Sequence, residues 1–363
     1  MTGEAQSDGK VSITISNPMN INRADEVVAV SWAAITSKYP GIDTANFKVL
    51  NANSKMEVPF QLERKGGKEV QNLLLQLSFK PKGSDKLVIV AGEPATAVRK
   101  TFGRFVPERY DDFAWENDKV AFRMYGKALE TRQDNAYGTD IWVKRAGKLV
   151  INEWYKSGDY HTDHGDGLDY YAVGLTLGGG DIAPFKNDSI YFSKNYHHWK
   201  ILDNGPLRTT FELGYDEWNV DGLSVKVTKT ISLDAGSNMN KIEALYSFDG
   251  ANPLPLVIGI VERKEKGESL LDEGQGLMAY WEPPYKQDGT TGVGVITAKP
   301  VLGIRNSKGH FLTLTAAKKN EPVVYYNGAA WNKANEITNA QQWFSYLKNF
   351  KAKLSQPLKV TVQ

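Results

Sequence analysis

Five runs of β-branched and alternating residues follow one another between Trp199 and Val261: Trp199–Leu202, Leu207–Tyr215, Leu223–Leu233, Asn240–Phe248 and Leu256–Val261. The separators are Asp-Asn-Gly-Pro, Val-Asp-Gly, Asp-Ala-Gly-Ser and Gly-Ala-Asn-Pro. Gly and Asn tolerate positive φ and Pro fixes φ, so each separator is turn chemistry. Strands this close in sequence, joined by turns this short, pair antiparallel.

The pattern extends in both directions. Upstream lie Val11–Ile15, Glu26–Trp32, Phe47–Leu50, Val58–Leu62, Asn72–Phe79 and Lys86–Val90, then Lys119–Tyr125, Thr139–Lys144, Lys148–Ile151 and Ile190–Lys194. Downstream lie Gly276–Trp281, Gly292–Ile296, Phe311–Leu314, Val323–Tyr326 and a closing strand Leu358–Val362. Only Ala334–Asn349 reads as a helix, with Ile337, Trp343, Phe344 and Leu347 on one face and Asn335 or Thr338 as its cap. A mainly β chain with fifteen or more strands and one short C-terminal helix excludes an α/β fold and implies a large antiparallel two-sheet architecture. Residues 11–91 read as an N-terminal β-sandwich portion, Gly92–Thr101 as a linker and 102–363 as the larger sandwich. Residues 1–10 read as a disordered tail.

Composition removes several function classes. There is no cysteine, which excludes disulfides, thiolate catalysis and cysteine–zinc sites. The formal net charge is +2 with no basic block, so neither nucleic acid nor an anionic membrane is an expected partner. No run approaches the roughly 18 apolar residues that span a bilayer. The polar start MTGEAQSDGK lacks an apolar signal core and reads as the scar of a replaced leader, which makes the expected location periplasmic or secreted.

Titratable residues concentrate in Tyr160–Phe185, which holds two of the five histidines, four aspartates and three tyrosines together with a Gly-Gly-Gly run. A loop of this kind carries chemistry on a rigid scaffold. His161 and His164, oriented by a carboxylate, suit proton transfer. With Asp166 they also offer nitrogen and oxygen to a divalent ion, although the spacing matches no zinc or calcium signature. Otherwise no cofactor is called for. The bland alternative is a turn whose aspartates cap backbone amides. Gly178–Gly180 lacks the Lys-Ser/Thr of a phosphate cradle and suits a close backbone approach to ligand or a lid edge.

Pro107–Asp118 (PERYDDFAWEND) sets Glu108, Arg109, Asp111, Asp112, Trp115 and Glu116 just before a strand carrying Arg123. It reads either as a solvated connector with internal ion pairs or as a sugar-holding surface, with Trp115 stacking and the carboxylates accepting hydrogen bonds. Tyr196–Lys200 adds His198 and Lys200, and two adjacent histidines on a strand point to opposite sides. His310 reads as a surface residue.

The strings GPLRTTFEL, LSVKVTKTISLDAGSNMNKIEALYSF and PLVIGIVERKEKG resemble the β-supersandwich of galactose-mutarotase-like proteins. FGRFVPERYDDFAWENDKVAFRMYGKAL and the His-rich loop resemble an uncharacterised secreted family of saccharide-degrading bacteria, often encoded beside pectin-degrading enzymes. The resemblance runs from Thr101 to the C-terminus. It implies a carbohydrate context, and in mutarotase-like folds a carboxylate on a late strand serves as base, a role that falls here on Glu262.

The leading expectation is therefore a carbohydrate-active enzyme for a uronate-containing, pectin-like oligosaccharide. As a lyase it would use Arg109, Arg123 or Lys200 to neutralise the uronate, His161 or His198 as base, and Tyr160 or Tyr170 as acid. As a hydrolase it would pair Asp112 or Glu116 with Asp166 or Glu262. An aldose epimerase would use a His acid and a Glu base. A non-catalytic glycan-binding module would instead depend on Trp115 and Trp281.

Overall fold

The computed structural model describes residues 11–145 and 147–363, so the expected tail at 1–10 lies outside the described residues. The chain is mainly β, arranged in antiparallel sheets. Strand Val11–Ser16 alternates buried and half-buried positions, as its sequence pattern demands. Its sheet also holds Ser84–Ala91 and Phe47–Asn51, and it faces a three-stranded sheet of Arg23–Ser31, Asn72–Phe79 and Phe60–Glu63. Val11, Ile13, Ile15, Leu73, Leu75 and Ile89 fill the core between them. The C-terminal strand, expected within 102–363, pairs here instead: Lys359–Val362 adds to the other edge of Val11–Ser16, with Ile13 opposite Val362. Val360 and Val362 pack against the same core.

The larger sandwich has an eight-stranded sheet on one side. Its order is His198–Asn204, Arg208–Val220, Leu223–Asp234, Met239–Phe248, Val323–Trp331, Thr291–Thr297, Leu277–Trp281 and Glu268–Asp272. Two five-stranded sheets cover its inner face. One runs Gly167–Leu168, Asp140–Lys144, Ala121–Met124, Asp112–Asn117 and Thr101–Val106. The other runs Ser189–Ile190, Gly179–Lys186, Leu254–Val261, His310–Ala317 and Gly303–Ser307. They meet at a bridge between Thr139 and Gly178. Phe113, Ile141, Ile182, Phe211, Ile258 and Val293 belong to the one core that all three sheets enclose.

Among the described residues three α-helices dress the sheets. Ala340–Ser355 lies on the outer face of the eight-stranded sheet, burying Trp343 and Leu347 against Leu277, Ala279 and Trp281. It starts later than its sequence suggests. Asn339 is the cap, accepting from the Gln342 amide, while Asn335 sits in a left-handed turn at φ 64°. A short helix at Trp32–Thr36 follows strand Arg23–Ser31. The third, Ile151–Ser157, replaces the strand expected at Lys148–Ile151. Its start is set by a distant residue: the Glu116 carboxylate accepts from the Val150 and Ile151 amides, orphan donors at that helix end. No helix among the described residues is long and apolar enough to cross a membrane.

Candidate functional site

Asp112–Asn117 is a strand buried along its whole length, not a connector. Phe113 and Trp115 point into the main core, while Asp112, Ala114 and Glu116 point to the opposite face, where Trp142, Trp154 and Tyr160 pack. A tight turn aims this strand. Tyr110 and Asp111 both have positive φ, 51° and 61°, and Gly126 lies so close that a Cβ there would sit 2.0 Å from the Asp111 carbonyl oxygen. Two successive non-glycine residues in that region store strain, and the turn delivers Asp112 to its neighbours.

Those neighbours form the chemical centre of the molecule. Arg123 comes from the adjacent strand Ala121–Met124, directly across from Asp140 on strand Asp140–Lys144. Its Nη2 lies 2.6 Å from Asp140 Oδ2 and donates to Asp169 Oδ2 at 2.9 Å; its Nη1 lies 3.6 Å from Asp112 Oδ2. Three buried carboxylates thus share one buried guanidinium, which also packs over Trp142 and Tyr125. Burial favours the neutral acid, and mutual repulsion adds to it while Arg123 opposes it. Asp112 is pushed up to about 7 by burial against Arg123 and Arg109. Asp140 is also raised to about 7, by burial and then by Asp169. Burial raises Asp169 as well, with Arg123 opposing and Asp112 reinforcing. The cluster therefore retains protons up to about neutral pH.

The cluster opens onto a cleft of about 460 Å³, within the roughly 300–1,000 Å³ typical of small-molecule sites. Arg123 lies at its floor. One wall is His161, Asp169, Tyr170 and Tyr171; the other is the turn Tyr285–Asp288. The two walls touch where the Tyr170 and Tyr285 rings stack at 5.4 Å, and the Tyr170 hydroxyl is held at 2.6 Å from Thr291 Oγ1. His161 Nδ1 lies 2.8 Å from the Asp169 carbonyl oxygen, which can only accept. That contact fixes the Nδ1–H tautomer and leaves Nε2 as a proton acceptor. Behind Tyr171 lies a second buried acid, Glu282, paired with Arg263 at 2.7 Å and pushed up to about 7 by burial.

Several expected site residues lie elsewhere. Trp115 is buried, its indole donating to Asn240 Oδ1, and presents no face to a sugar. Glu116 is buried beside Lys144. Trp281 packs beneath the C-terminal helix. Tyr160 stacks on Trp142 and accepts from Arg109 Nε, so it and Arg109 support the wall from behind. His164 bonds Asp159 and Asp166 bonds Lys148, both at the surface. With His161 turned to Asp169, the expected metal trio is not assembled, and among the described residues no group of three acids or histidines is placed to hold a metal ion.

His198 and Lys200 sit on the edge strand His198–Asn204; both His197 and His198 reach Asp216 rather than pointing apart. Glu262 bonds Gly309 through its backbone and does not line the cleft. His310 is buried, accepting the Leu177 amide on Nε2, and burial lowers its pKa. Gly178–Gly180 serves backbone packing: a Cβ at Gly178 would lie 2.4 Å from the Thr139 carbonyl oxygen.

Of the expected set, Asp112, Arg123, His161 and Tyr170 meet at or under the cleft. The residues missed as site members are Asp140, Tyr171, Glu282 and the Tyr285–Asp288 turn. Tyr171 and Glu282 stand next to Tyr170 and Trp281 in the sequence, but a single sequence does not show which neighbour turns inward.

A profile for a domain of unknown function (DUF4861) matches residues 15–360. Uncharacterized protein P7 of Formosa agariphila is 31% identical over 378 residues, covering 97% of this chain and 93% of that protein. Among solved structures, a protein in glycosyl hydrolase family 38 from Enterococcus faecalis superposes with a TM-score of 0.55 at 9% identity, covering 99% of this chain and 48% of that one. An alpha-mannosidase from Enterococcus faecalis V583 gives 0.48 at 7% identity, covering 98% and 46%. The chain spans about half the length of these two structures, and the likeness to the first is one of fold.

Proposed function

The chain belongs to the DUF4861 family, and from that premise we propose that it is a carbohydrate-active enzyme that moves protons on a bound sugar. His161 Nε2 is the base, and Asp169, drawing on the proton-holding cluster around Arg123, is the acid. The observation that carries this reading is the cluster itself: three buried carboxylates on one guanidinium, opening onto a cleft beside a histidine of fixed tautomer. Acid and base of this kind serve glycosidic hydrolysis, in which the acid protonates the leaving oxygen and the base activates water. The glycosyl hydrolase that shares the fold adds support for sugar as the substrate.

The lyase form is not the one proposed. It needs a guanidinium whose charge is not already matched, whereas Arg123 faces three acids and Arg109 is turned to the Tyr160 hydroxyl.

The test is a panel of neutral and acidic oligosaccharides followed in three channels: new reducing ends, absorbance of an unsaturated uronate, and anomer interconversion by NMR. New reducing ends lost in both His161→Ala and Asp169→Asn are expected. Unsaturated product would restore the lyase, and anomer exchange alone would move the reaction to an epimerase. Silence in all three, with a sugar still bound, would leave a binding module and sink the enzyme reading.

A further inference from the structure

The cleft floor carries more hydrogen-bonding capacity than the protein itself uses. Tyr171 is buried and lines the cleft, yet its hydroxyl has no hydrogen-bond partner among the described residues. The same holds for Arg123 Nε and Nη1, and beneath the floor for Asp112 Oδ1, which does not line the cleft. The Tyr171 ring is positioned without help from its hydroxyl. Arg263 packs over it at 4.5 Å, and that guanidinium is itself fixed by Glu282 and the Ala172 carbonyl. A buried hydroxyl left unanswered costs folding free energy, so its presence here calls for a role outside the fold.

We propose that Tyr171 and Arg123 form a hydroxyl-reading floor that makes this cleft specific for a neutral saccharide over the corresponding uronate; the inference rests on the carbohydrate reading above. A sugar hydroxyl both donates and accepts, so it can accept from Arg123 or the Tyr171 hydroxyl while donating to Asp169, the acid that lines the cleft. A carboxylate only accepts, and at this depth it would be the fourth acid around one guanidinium. The other cation lining the cleft, Lys286, packs over Tyr285 in the exposed turn at the rim and leaves the floor unchanged.

The experiment is calorimetric titration of the full chain with methyl hexosides and the matching methyl hexuronates in gluco, galacto and manno configurations. It is run on the wild type and on Tyr171→Phe, which removes one oxygen and keeps the ring. A neutral glycoside is expected to bind at least about tenfold more tightly than its uronate, and Tyr171→Phe to weaken it by about tenfold. The same variant is expected to melt at the wild-type temperature or higher, because no bond within the protein is lost. Equal or tighter uronate binding, unchanged affinity in Tyr171→Phe, or a lowered melting temperature would each overturn the specificity proposal and leave the carbohydrate reading standing. If the wild type bound neither class, the carbohydrate reading would fall, and this proposal with it.

Discussion

Asp112 and Glu116 leave the same strand on the same face, four residues apart, and both are buried, yet the protein answers them differently. Glu116 meets the Lys144 ammonium at 2.6 Å and takes hydrogen bonds from the Val150 and Ile151 amides, so both its oxygens are satisfied. Asp112 has a Tyr155 hydroxyl at 3.2 Å, a guanidinium at 3.6 Å that two other acids have closer, and one oxygen with no partner. The first arrangement holds a helix end to a sheet. The second holds protons and unsatisfied atoms beside a cleft. Burying a carboxylate thus serves architecture when its oxygens are saturated, and it makes a site when they are not.

That contrast gives a graded set of tests. The largest effect is expected at the saturated end. Glu116→Ala leaves the Lys144 ammonium buried without its partner, and a loss of about 3–5 kcal/mol in urea unfolding is expected. A loss under about 1 kcal/mol would mean that the pair is not the clasp described. At the other end, His161→Ala should lower turnover by roughly 10²–10⁴-fold while the melting temperature stays put, since the ring is largely exposed. An active variant would end its assignment as base.

The next effect is in pH dependence. Burial pushes Asp112, Asp140 and Glu282 up to about 7 in the folded protein, against ordinary values of 3.8 for the aspartates and 4.5 for the glutamate. Between those values the folded protein binds more protons than the unfolded chain, so their contribution is full at low pH and is lost as pH rises through about 7. Stability should fall on the order of 1 kcal/mol per pH unit per group over that window. Asp112→Asn should flatten the curve, and an unchanged slope would separate Asp112 from the cluster. The smallest effect is expected at His164, exposed and paired only with Asp159: His164→Ala should alter activity and stability by less than about 0.5 kcal/mol. A large loss there would reopen the surface loop as a site.

The same strand shows what the sequence could and could not tell. Strand-and-turn spacing was enough for the sheets, because period-2 alternation and Gly/Asn/Pro separators are local signals. Asp112–Asn117 has that alternation too, with Phe113 and Trp115 on one side, but acids at 112 and 116 made the other side read as solvated. Only tertiary partners reverse that reading, and they lie far away: Arg123, Asp140 and Asp169 are supplied by three other segments. Helix Ile151–Ser157 escaped for the same reason, having no cap in its own sequence and borrowing one from Glu116. His161 was legible as a candidate because it stands in a polar loop. What its ring nitrogens face was not, since a backbone carbonyl eight residues on decides it.

The pairing of Val11–Ser16 with Lys359–Val362 bears on how the protein is made. Val11–Ser16 acquires this edge partner only after some 340 further residues are made, on the order of tens of seconds at translation rates of about 5–20 residues per second. Until then Val11–Ser16 is itself an edge strand of that sheet, and such an edge invites pairing with other chains. Lys359–Val362 thus replaces a six-residue edge with a four-residue one that begins at a lysine, and a ribosome stalled before residue 359 would release a chain whose longer, apolar edge is a ready-made template for aggregation.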